Sequence, residues 1–268
     1  MGEVLLVKRR MWQQRPGAVT AIQLGTVLFA MAAWQSISLS GIVYEGVMPS
    51  LHLTMFALLK LLAAPALYKN ALVTALEIIA SLAIGGLAGV VTGIFLGGSR
   101  FATRAYEPFL YYLGPTPKIV FFPLLLMMFG VGNGSKVAMG TLSCFFPIAL
   151  SAAAGMRGIE PILIKVARSL DASPGQMVMK VYLPAIREPI LNGFRLGLGV
   201  ATIGVLLGET KISNQGLGFM IVDFYRLFDM PSLYALIFLV FCISIGINTA
   251  MNRLETRRRH QTSKGGLT

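Results

Sequence analysis

The feature that most constrains this chain is a series of long segments that contain no charged residue or only one. A helix that crosses the hydrocarbon core of a bilayer needs about 20 mostly apolar residues. Prolines at 115, 117 and 123 interrupt the third and shortest of these segments. The chain is therefore predicted to be an all-α polytopic membrane protein with six transmembrane helices, at residues 19–39, 72–97, 119–135, 137–156, 189–208 and 231–251.

The composition favours a membrane protein over the other broad classes. Only 13% of the residues are charged and 55% are hydrophobic, whereas an ordinary soluble domain is about 25% charged. The high hydrophobicity also excludes intrinsic disorder. Cys144 and Cys242 lie in apolar runs, so neither a disulfide framework nor a zinc site is expected.

The distribution of lysine and arginine predicts the orientation of these helices. With both termini in the cytoplasm, 17 of the 23 Lys and Arg residues fall on the inner side and five on the outer side. Cytoplasmic loops carry such an excess of positive charge, so this orientation is expected. The net charge of +12 is then explained without a nucleic-acid partner, because the basic residues are scattered over short loops.

The first apolar run has a second interpretation, a cleaved signal peptide. Lys8, Arg9 and Arg10 form a basic segment before it, and Ala30-Met31-Ala32 resembles a cleavage site. A signal peptide is the less favoured interpretation, because the apolar stretch is too long and five further spans follow it.

Small residues recur at four-residue spacing in two of the predicted spans. Gly85, Gly89, Gly93 and Gly97 lie in the second span, and the fifth contains a similar series of Gly193, Gly197 and Ala201. This spacing places small residues on one helical face, where they let helix backbones approach closely. We expect packing within one subunit for the second span, and a dimer seam or a pore-lining face for the fifth.

The segment 157–187 is the one long inner loop, and it is predicted to contain two short helices. An apolar stripe at Ile162, Val166 and Leu170 indicates the first helix. Ser173 as N-cap, Pro174 at the first helical position and Gln176 three residues after the cap predict the start of the second, which Pro184 is expected to end. Two interpretations remain open: a handle offered to a partner, or an interfacial helix that contacts lipid alone.

This loop resembles the cytoplasmic EAA loop of the membrane subunits of bacterial ATP-binding-cassette importers. The family pattern is Glu-Ala-Ala, three residues, Gly, nine residues, Ile, one residue and Leu-Pro. Aligned on Leu183-Pro184, the pattern falls on Lys165-Val166-Ala167, on Asp171 and on Val181. Lys165, Val166 and Asp171 depart from it, the last replacing the usual glycine.

The nitrate, sulfonate and taurine branch of that family has its own form of the loop, which the chain resembles more closely. The matching residues in the loop are Ala167-Arg168-Ser169-Leu170, Ala172-Ser173 and Lys180-Val181-Tyr182-Leu183-Pro184-Ala185, followed by Gly193. Two further stretches agree with the branch. One comprises Pro117, Phe122-Pro123-Leu124, Phe129-Gly130-Val131-Gly132 and Ser135-Lys136, and the other is Gly208-Glu209-Thr210 followed by Gly216-Leu217-Gly218.

The resemblance implies a type I ABC importer permease fold with a cytoplasmic coupling-helix loop. Its expected partners are cytoplasmic ATP-binding-cassette ATPase subunits, a second permease copy, an extracytoplasmic solute-binding protein and the lipid bilayer of the inner membrane. The solute would be a small anion, a sulfonate or a related small polar molecule. The expected ATPase-coupling residues are Ala167, Arg168, Ser169, Leu170, Asp171, Ala172, Ser173, Pro174, Gly175, Lys180, Leu183 and Pro184.

Polar residues in the fifth span are the candidates for the translocation pathway. They are Asn192, Arg195, Thr202 and Glu209. An intramembrane charge such as Arg195 is a functional candidate by default, although an arginine near the inner end of a span can also snorkel to the interface. Glu209 would close a gate, pair with Lys211 or be a solvated loop charge. Glu77 is expected to face the outer interface or Lys69.

The chain carries no sequence signature of catalysis. It has no GxxxxGK[ST] phosphate-binding loop and no His, Cys and carboxylate cluster for a metal, so ATP hydrolysis is expected in a separate subunit, and no cofactor is expected. The main alternative is an ion-coupled secondary transporter, which would need acidic residues near the bilayer midplane. A membrane-embedded enzyme and a receptor are further alternatives that no motif supports.

Overall fold

The computed structural model describes residues 16–41 and 46–265, and describes those from 251 onward by their backbone alone. Every regular element in this part of the chain is helical. The helices are α1 Pro16–Leu39, α2 Leu51–Ala63, α3 Pro65–Gly98, α4 Arg100–Leu113, α5 Phe122–Phe129, α6 Asn133–Arg157, α7 Pro161–Ser169, α8 Pro174–Gln176, α9 Leu183–Ala185, α10 Arg187–Lys211, α11 Leu217–Arg226 and α12 Met230–Gly265. The N-terminal basic residues Lys8, Arg9, Arg10 and Arg15 lie outside the described residues.

Five of these helices are long and apolar enough to cross a membrane. They are α1, α3, α6, α10 and α12, and they overlap the predicted first, second, fourth, fifth and sixth spans. The helix at the second predicted span is longer than residues 72–97, because α3 has 34 residues. Each residue adds about 1.5 Å to its length. Two helices, α2 and α4, were not anticipated from the uncharged runs.

The third predicted span, residues 119–135, has a different structure. A 3₁₀ turn at Lys118–Phe121 leads into the eight-residue helix α5, and this pair is bent by 90° from α4. Proline restricts the residue before it and cannot donate a backbone hydrogen bond, so a straight helix cannot run through 115–123. Gly130, with φ of 73°, ends α5, and α6 starts already at Asn133. By length and composition, the described residues supply a sixth crossing if α4 and the segment Lys118–Phe129 together form one span.

One compact unit comprises residues up to Ala63 together with Phe224–Ile237. Side chains of α1 bind the backbone at the start of α2. The Trp34 indole nitrogen donates to the Pro49 carbonyl at 3.0 Å, and the Gln35 amide oxygen accepts from the Leu51 N–H at 3.0 Å. The Trp34 and Tyr234 rings also pack perpendicular to each other, with 5.0 Å between centroids.

The second unit, Ala64–Asp223 with Phe238–Thr268, is built on the contact between α3 and α6. A side chain at Gly85 would come within 2.8 Å of the Thr141 carbonyl, and one at Gly93 within 2.6 Å of the Ala149 carbonyl. The partner residue advances with the glycine, so the two helices run parallel. The second-span glycines therefore pack within one subunit, as expected.

The fifth-span glycines also pack inside the chain, so their expected role as a dimer seam or pore-lining face is wrong. A Cβ at Gly193 would lie 2.9 Å from that of Ser151, and one at Gly204 would lie 2.7 Å from the Ser143 hydroxyl. Both partners belong to α6, to which α10 therefore runs antiparallel. Small residues at this spacing indicate close packing, and the sequence pattern does not tell which helix is the partner.

Candidate functional site

The turn after α7 is a Schellman motif closed by Asp171. The Asp171 N–H donates to the Arg168 carbonyl at 3.1 Å, and the Ala172 N–H donates to the Ala167 carbonyl at 3.1 Å. Asp171 has φ of 51°, the left-handed conformation that this motif requires and that glycine usually supplies. The tight turn is thus present although aspartate stands in the glycine position.

The second helix of the loop begins with a reciprocal capping box, as predicted. The Ser173 hydroxyl accepts from the Gln176 N–H at 3.3 Å, and the Gln176 side-chain oxygen accepts from the Ser173 N–H at 2.9 Å. Pro174 occupies the first helical turn, where its missing N–H has no cost. Asp171 and the box together fix a sharp corner between α7 and the following helix.

That second helix runs on past the expected end at Pro184. It comprises α8, a π-helical turn at Met177–Tyr182 and α9, and we call residues 174–185 the loop helix. The break falls at Ile186, with φ of −99°, so the helix ends at Ala185, one residue beyond the predicted end at Pro184. Widening into a π turn accommodates the missing proline N–H, which would interrupt a regular α-helix.

An apolar surface on the loop is exposed. Ile162 and Val166 of the predicted stripe lie exposed on α7, and Leu170, directly after the helix, is 77% exposed. Leu163 and Met179 add to it with exposures of 47% and 69%. We call these five residues the apolar loop surface. Next to it, Arg168, Ser169, Ser173, Pro174, Gly175, Lys180 and Pro184 are also exposed, whereas Ala167 is buried and Ala172 and Leu183 are half-buried.

The opposite side of the loop is anchored in the helix bundle. Ile186, which is fully buried, clusters with Met156 and Ile159 at the end of α6. Ile164 of α7 and Tyr182 of the loop helix, together with Ile94 and Ile190, pack against this cluster. The cluster therefore joins α6, both loop helices and the start of α10 in one packed group.

The polar candidates of the fifth span separate onto different faces of α10. Asn192, Arg195 and Thr202 share one face, on the side opposite to the glycines that pack on α6. Asn192 is exposed, and Arg195 and Thr202 are partly exposed. Gly199 lies between them, and a Cβ added there would meet no atom within 4 Å. This face is therefore polar and partly exposed, and we call it the polar stripe of α10.

One side-chain hydrogen bond fixes the guanidinium group of Arg195. Its Nε donates to the Asn248 side-chain oxygen on α12 at 3.1 Å. This bond orients the planar fork of the guanidinium group, whose terminal nitrogens make no hydrogen bond to the side chains that the structure describes. A fixed fork of this kind suits bidentate contact with an oxyanion.

Glu209 lies inside the bundle, away from that stripe. Its side chain is 1% exposed, and one carboxylate oxygen accepts from the Thr74 hydroxyl at 2.7 Å while the other accepts from the Gly218 N–H at 2.7 Å. The Thr74 hydroxyl in turn accepts from the Leu217 N–H at 2.8 Å. These bonds satisfy the first N–H groups of α11, so Glu209 braces the loop before that helix.

Two further buried charges lie beside Glu209, and their burial was not predicted from the sequence. Glu77 is 2% exposed and Lys136 is 1% exposed, so Glu77 does not face the outer interface as expected. A polar stripe of Thr74, Glu77 and Ser81, at spacings of three and four, was the available signal. What faces that stripe depends on α6 and α10, and this could not be read from α3 alone.

Comparisons with known proteins agree with this architecture. Residues 85–260 match the family described as binding-protein-dependent transport system inner membrane component. A Bacillus subtilis protein named as an aliphatic sulfonates transport permease is 28% identical over 252 residues, 94% of this chain and 90% of that one. The taurine transport system permease of Escherichia coli is 28% identical over 227 residues, 82% of each chain. The nitrate import permease of Synechococcus elongatus is 27% identical and covers 67% of this chain and 66% of that one.

A solved structure also shares the fold. The inward-facing MetNI methionine ABC transporter aligns with a TM-score of 0.58 and 18% sequence identity, over 75% of this chain and 95% of that one. At this identity the likeness concerns the fold alone.

Proposed function

Because the chain belongs to the binding-protein-dependent inner membrane components, as an ABC importer permease of the nitrate, sulfonate and taurine type, we propose that it forms the solute pathway of an ATP-driven importer. A separate cytoplasmic ATPase drives the cycle, and an extracytoplasmic binding protein delivers the solute. The observation that carries this proposal is the apolar loop surface, exposed on one side of a loop whose other side is anchored in the bundle.

The ATPase docks on this loop. The apolar loop surface supplies most of the binding free energy, because burial of apolar area contributes about 25 cal/mol per Å². Arg168 and Lys180 lie at its rim, where exposed ion pairs contribute about 0–1 kcal/mol each. The rigid corner at Asp171 and the anchor at Ile186 let the loop transmit nucleotide-driven closure of the ATPase to α10.

Gly175 offers a sharp test of docking, because a Cβ added there meets no atom within 4 Å. The variant Gly175→Phe should insert and fold normally but should no longer co-purify with the ATPase subunit when the two are co-expressed. Gly246→Phe is the matched control, since Gly246 on α12 is equally open, and it should retain the ATPase. Equal retention of the ATPase by both variants would remove the loop from the interface.

The solute passes along the polar stripe of α10, which Asn192, Arg195 and Thr202 line. Relatives named for taurine, aliphatic sulfonates and nitrate all point to small oxyanions, and the oriented guanidinium group of Arg195 suits this class. A second copy of the chain completes the pathway, because a single copy leaves the polar stripe partly exposed. Cross-linking of single cysteines placed at Gly199 in two copies tests this pairing; an absence of cross-linked dimer would contradict it.

Both termini lie in the cytoplasm under this proposal, which places residues 157–187 on the inner side. We call these residues the coupling loop. The bias of lysine and arginine towards that side supports the orientation. A membrane-impermeant maleimide added to intact cells should label Ser213→Cys, in the loop after α10, and should not label Ser173→Cys in the coupling loop. The reverse pattern would invert the topology.

A further inference from the structure

Three buried charges meet at the end of the second unit that lies away from the coupling loop. Glu77 of α3, Lys136 of α6 and Glu209 of α10 are each no more than 2% exposed. The charged groups that face the Glu77 carboxyl are Glu209 and Lys136, and the start of α11 faces the cluster with backbone N–H groups alone. With both acids ionised, the cluster would carry two negative charges against one positive charge.

The hydrogen bonds of the cluster leave one carboxyl without a donor. Both oxygens of Glu209 accept, from Thr74 and from Gly218. The Lys136 ammonium donates to the Gly132 carbonyl at 3.0 Å and to the Val131 carbonyl. Neither oxygen of Glu77 has a hydrogen-bond partner, although both are buried. Ser81, one turn away, directs its hydroxyl to backbone carbonyls instead.

An ionised carboxylate without donors is very costly inside a protein. A protonated carboxyl group, in contrast, carries its own donor, and the Glu209 carboxylate lies within range to accept from it. One proton shared by adjacent carboxyls is also the way in which other proteins tolerate such pairs. We propose that the cluster is a proton-binding site, in which one proton shared between Glu77 and Glu209 is a structural ligand of this end of the bundle.

A metal cation fits the cluster less well than a proton. Hard cations such as Ca²⁺ take about six to eight oxygen ligands, whereas the oxygens of Glu209 already accept two hydrogen bonds. The loop before α11 also closes tightly over this carboxylate, because a Cβ at Gly216 would overlap it and one at Gly218 would lie 2.7 Å from the Glu209 Cβ. Among the described residues, no group of three or more His, Cys, Asp or Glu forms a metal site.

The proton matters because of what Glu209 holds. Glu209 and Thr74 cap α11, and the Asn70 side chain accepts from the Gly216 N–H at 2.6 Å. Loss of the proton would set a second carboxylate charge against Glu209 and strain these caps. The site thereby links proton occupancy to the packing of the loop before α11, and this inference does not depend on which solute is transported.

The test replaces Glu77 with its uncharged isostere in the full chain, purified in detergent and in lipid nanodiscs. Glu77→Gln should match or exceed the melting temperature of the wild type at neutral pH, because the amide mimics the protonated acid and folding then needs no uptake of a proton. Glu107→Gln is the matched control: Glu107 is also buried but pairs with Arg157 at 2.7 Å, so this variant should melt several degrees lower. Alkaline pH should destabilise the wild type more than Glu77→Gln.

Infrared difference spectroscopy gives a second, independent readout. The wild type at neutral pH should show the carbonyl stretching band of a protonated carboxylic acid, and Glu77→Gln should lose it. Absence of the band in the wild type overturns the proposal even if the variant does not fold. A drop in melting temperature of Glu77→Gln as large as that of Glu107→Gln also overturns it. So does stabilisation of the wild type by sodium chloride over choline chloride that is lost in Glu77→Gln, since the ligand would then be a metal cation.

Discussion

Asp171 occupies a backbone conformation that most side chains avoid, and the shape of the coupling loop depends on it. Its φ of 51° closes the Schellman motif. Asparagine and aspartate tolerate this region better than other non-glycine residues, because their short side chains bond locally. The chain therefore keeps the corner without the glycine that the family usually has.

Substitutions at Asp171 should follow this conformational preference. Asp171→Val should lower the free energy of unfolding by about 1–2 kcal/mol, because a β-branched residue is strained at positive φ. Asp171→Gly should have the wild-type stability to within about 0.5 kcal/mol, since relief of strain is offset by greater freedom of the unfolded chain. Thermal unfolding of the purified chain measures both. A valine variant as stable as the glycine variant would contradict the role of the turn.

Arg195 is the residue for which solute contact is proposed most directly. Arg195→Gln should lower uptake by roughly tenfold or more, because a charge-assisted hydrogen bond contributes about 1.5–3 kcal/mol. Arg195→Lys should fall in between, since it keeps the charge and loses the fork. ATPase co-purification should be unchanged in both. Normal uptake by Arg195→Gln would mean that the arginine only anchors α12 through Asn248.

Some features that depend on neighbouring residues in the chain were predicted correctly from the sequence. The capping box at Ser173 and Gln176 was predicted correctly because all its bonds lie within four residues. The burial of Glu77, by contrast, is decided by α6 and α10, whose residues lie at least 56 positions away in the chain. Charge count alone placed Glu77 at the outer interface, where the structure does not have it.

At the scale of elements, the loop 157–187 connects α6 to α10, and under the proposed function it works as a lever between them. Its two helices meet at a rigid corner, and its inner side packs around Ile186. Gly155 allows this contact, because a side chain there would come within 2.7 Å of Pro189. Packed residues thus connect the apolar loop surface to the bundle.

Truncation of Ile186, the anchor of the loop, should destabilise the fold. Ile186 is fully buried, so Ile186→Ala should cost about 2–5 kcal/mol of stability through the cavity it leaves. Leu163→Ala, on the exposed side of the same loop, should change stability by less than about 0.5 kcal/mol. Thermal unfolding compares the two. The opposite ranking would show that the loop is not anchored through Ile186.

The segment between α4 and α6 is the element whose structure differs most from its prediction. Uncharged length alone suggested a third span at 119–135, but prolines and Gly130 divide that stretch into a turn, a short helix and the start of α6. Composition records how apolar a segment is. The direction in which consecutive pieces run, here a 90° bend, is set by backbone geometry.

At the scale of the whole molecule, the proposed importer moves solute with free energy that a partner ATPase supplies to the permease. No phosphate-binding loop occurs in the sequence, and the coupling loop offers the surface on which an ATPase would act. The Glu77, Glu209 and Lys136 cluster is buried away from the polar stripe of α10. In this account that cluster stabilises the fold and does not supply a driving ion.

Solute uptake into proteoliposomes tests this central claim most directly. The permease is reconstituted with the co-expressed ATPase and with a binding protein encoded beside it, and uptake of the solute that this binding protein retains is measured. The account predicts uptake that requires both ATP and the binding protein and that persists when ionophores collapse proton and sodium gradients. Uptake by the permease alone, driven by either gradient without ATP, would contradict the account and establish an ion-coupled secondary transporter.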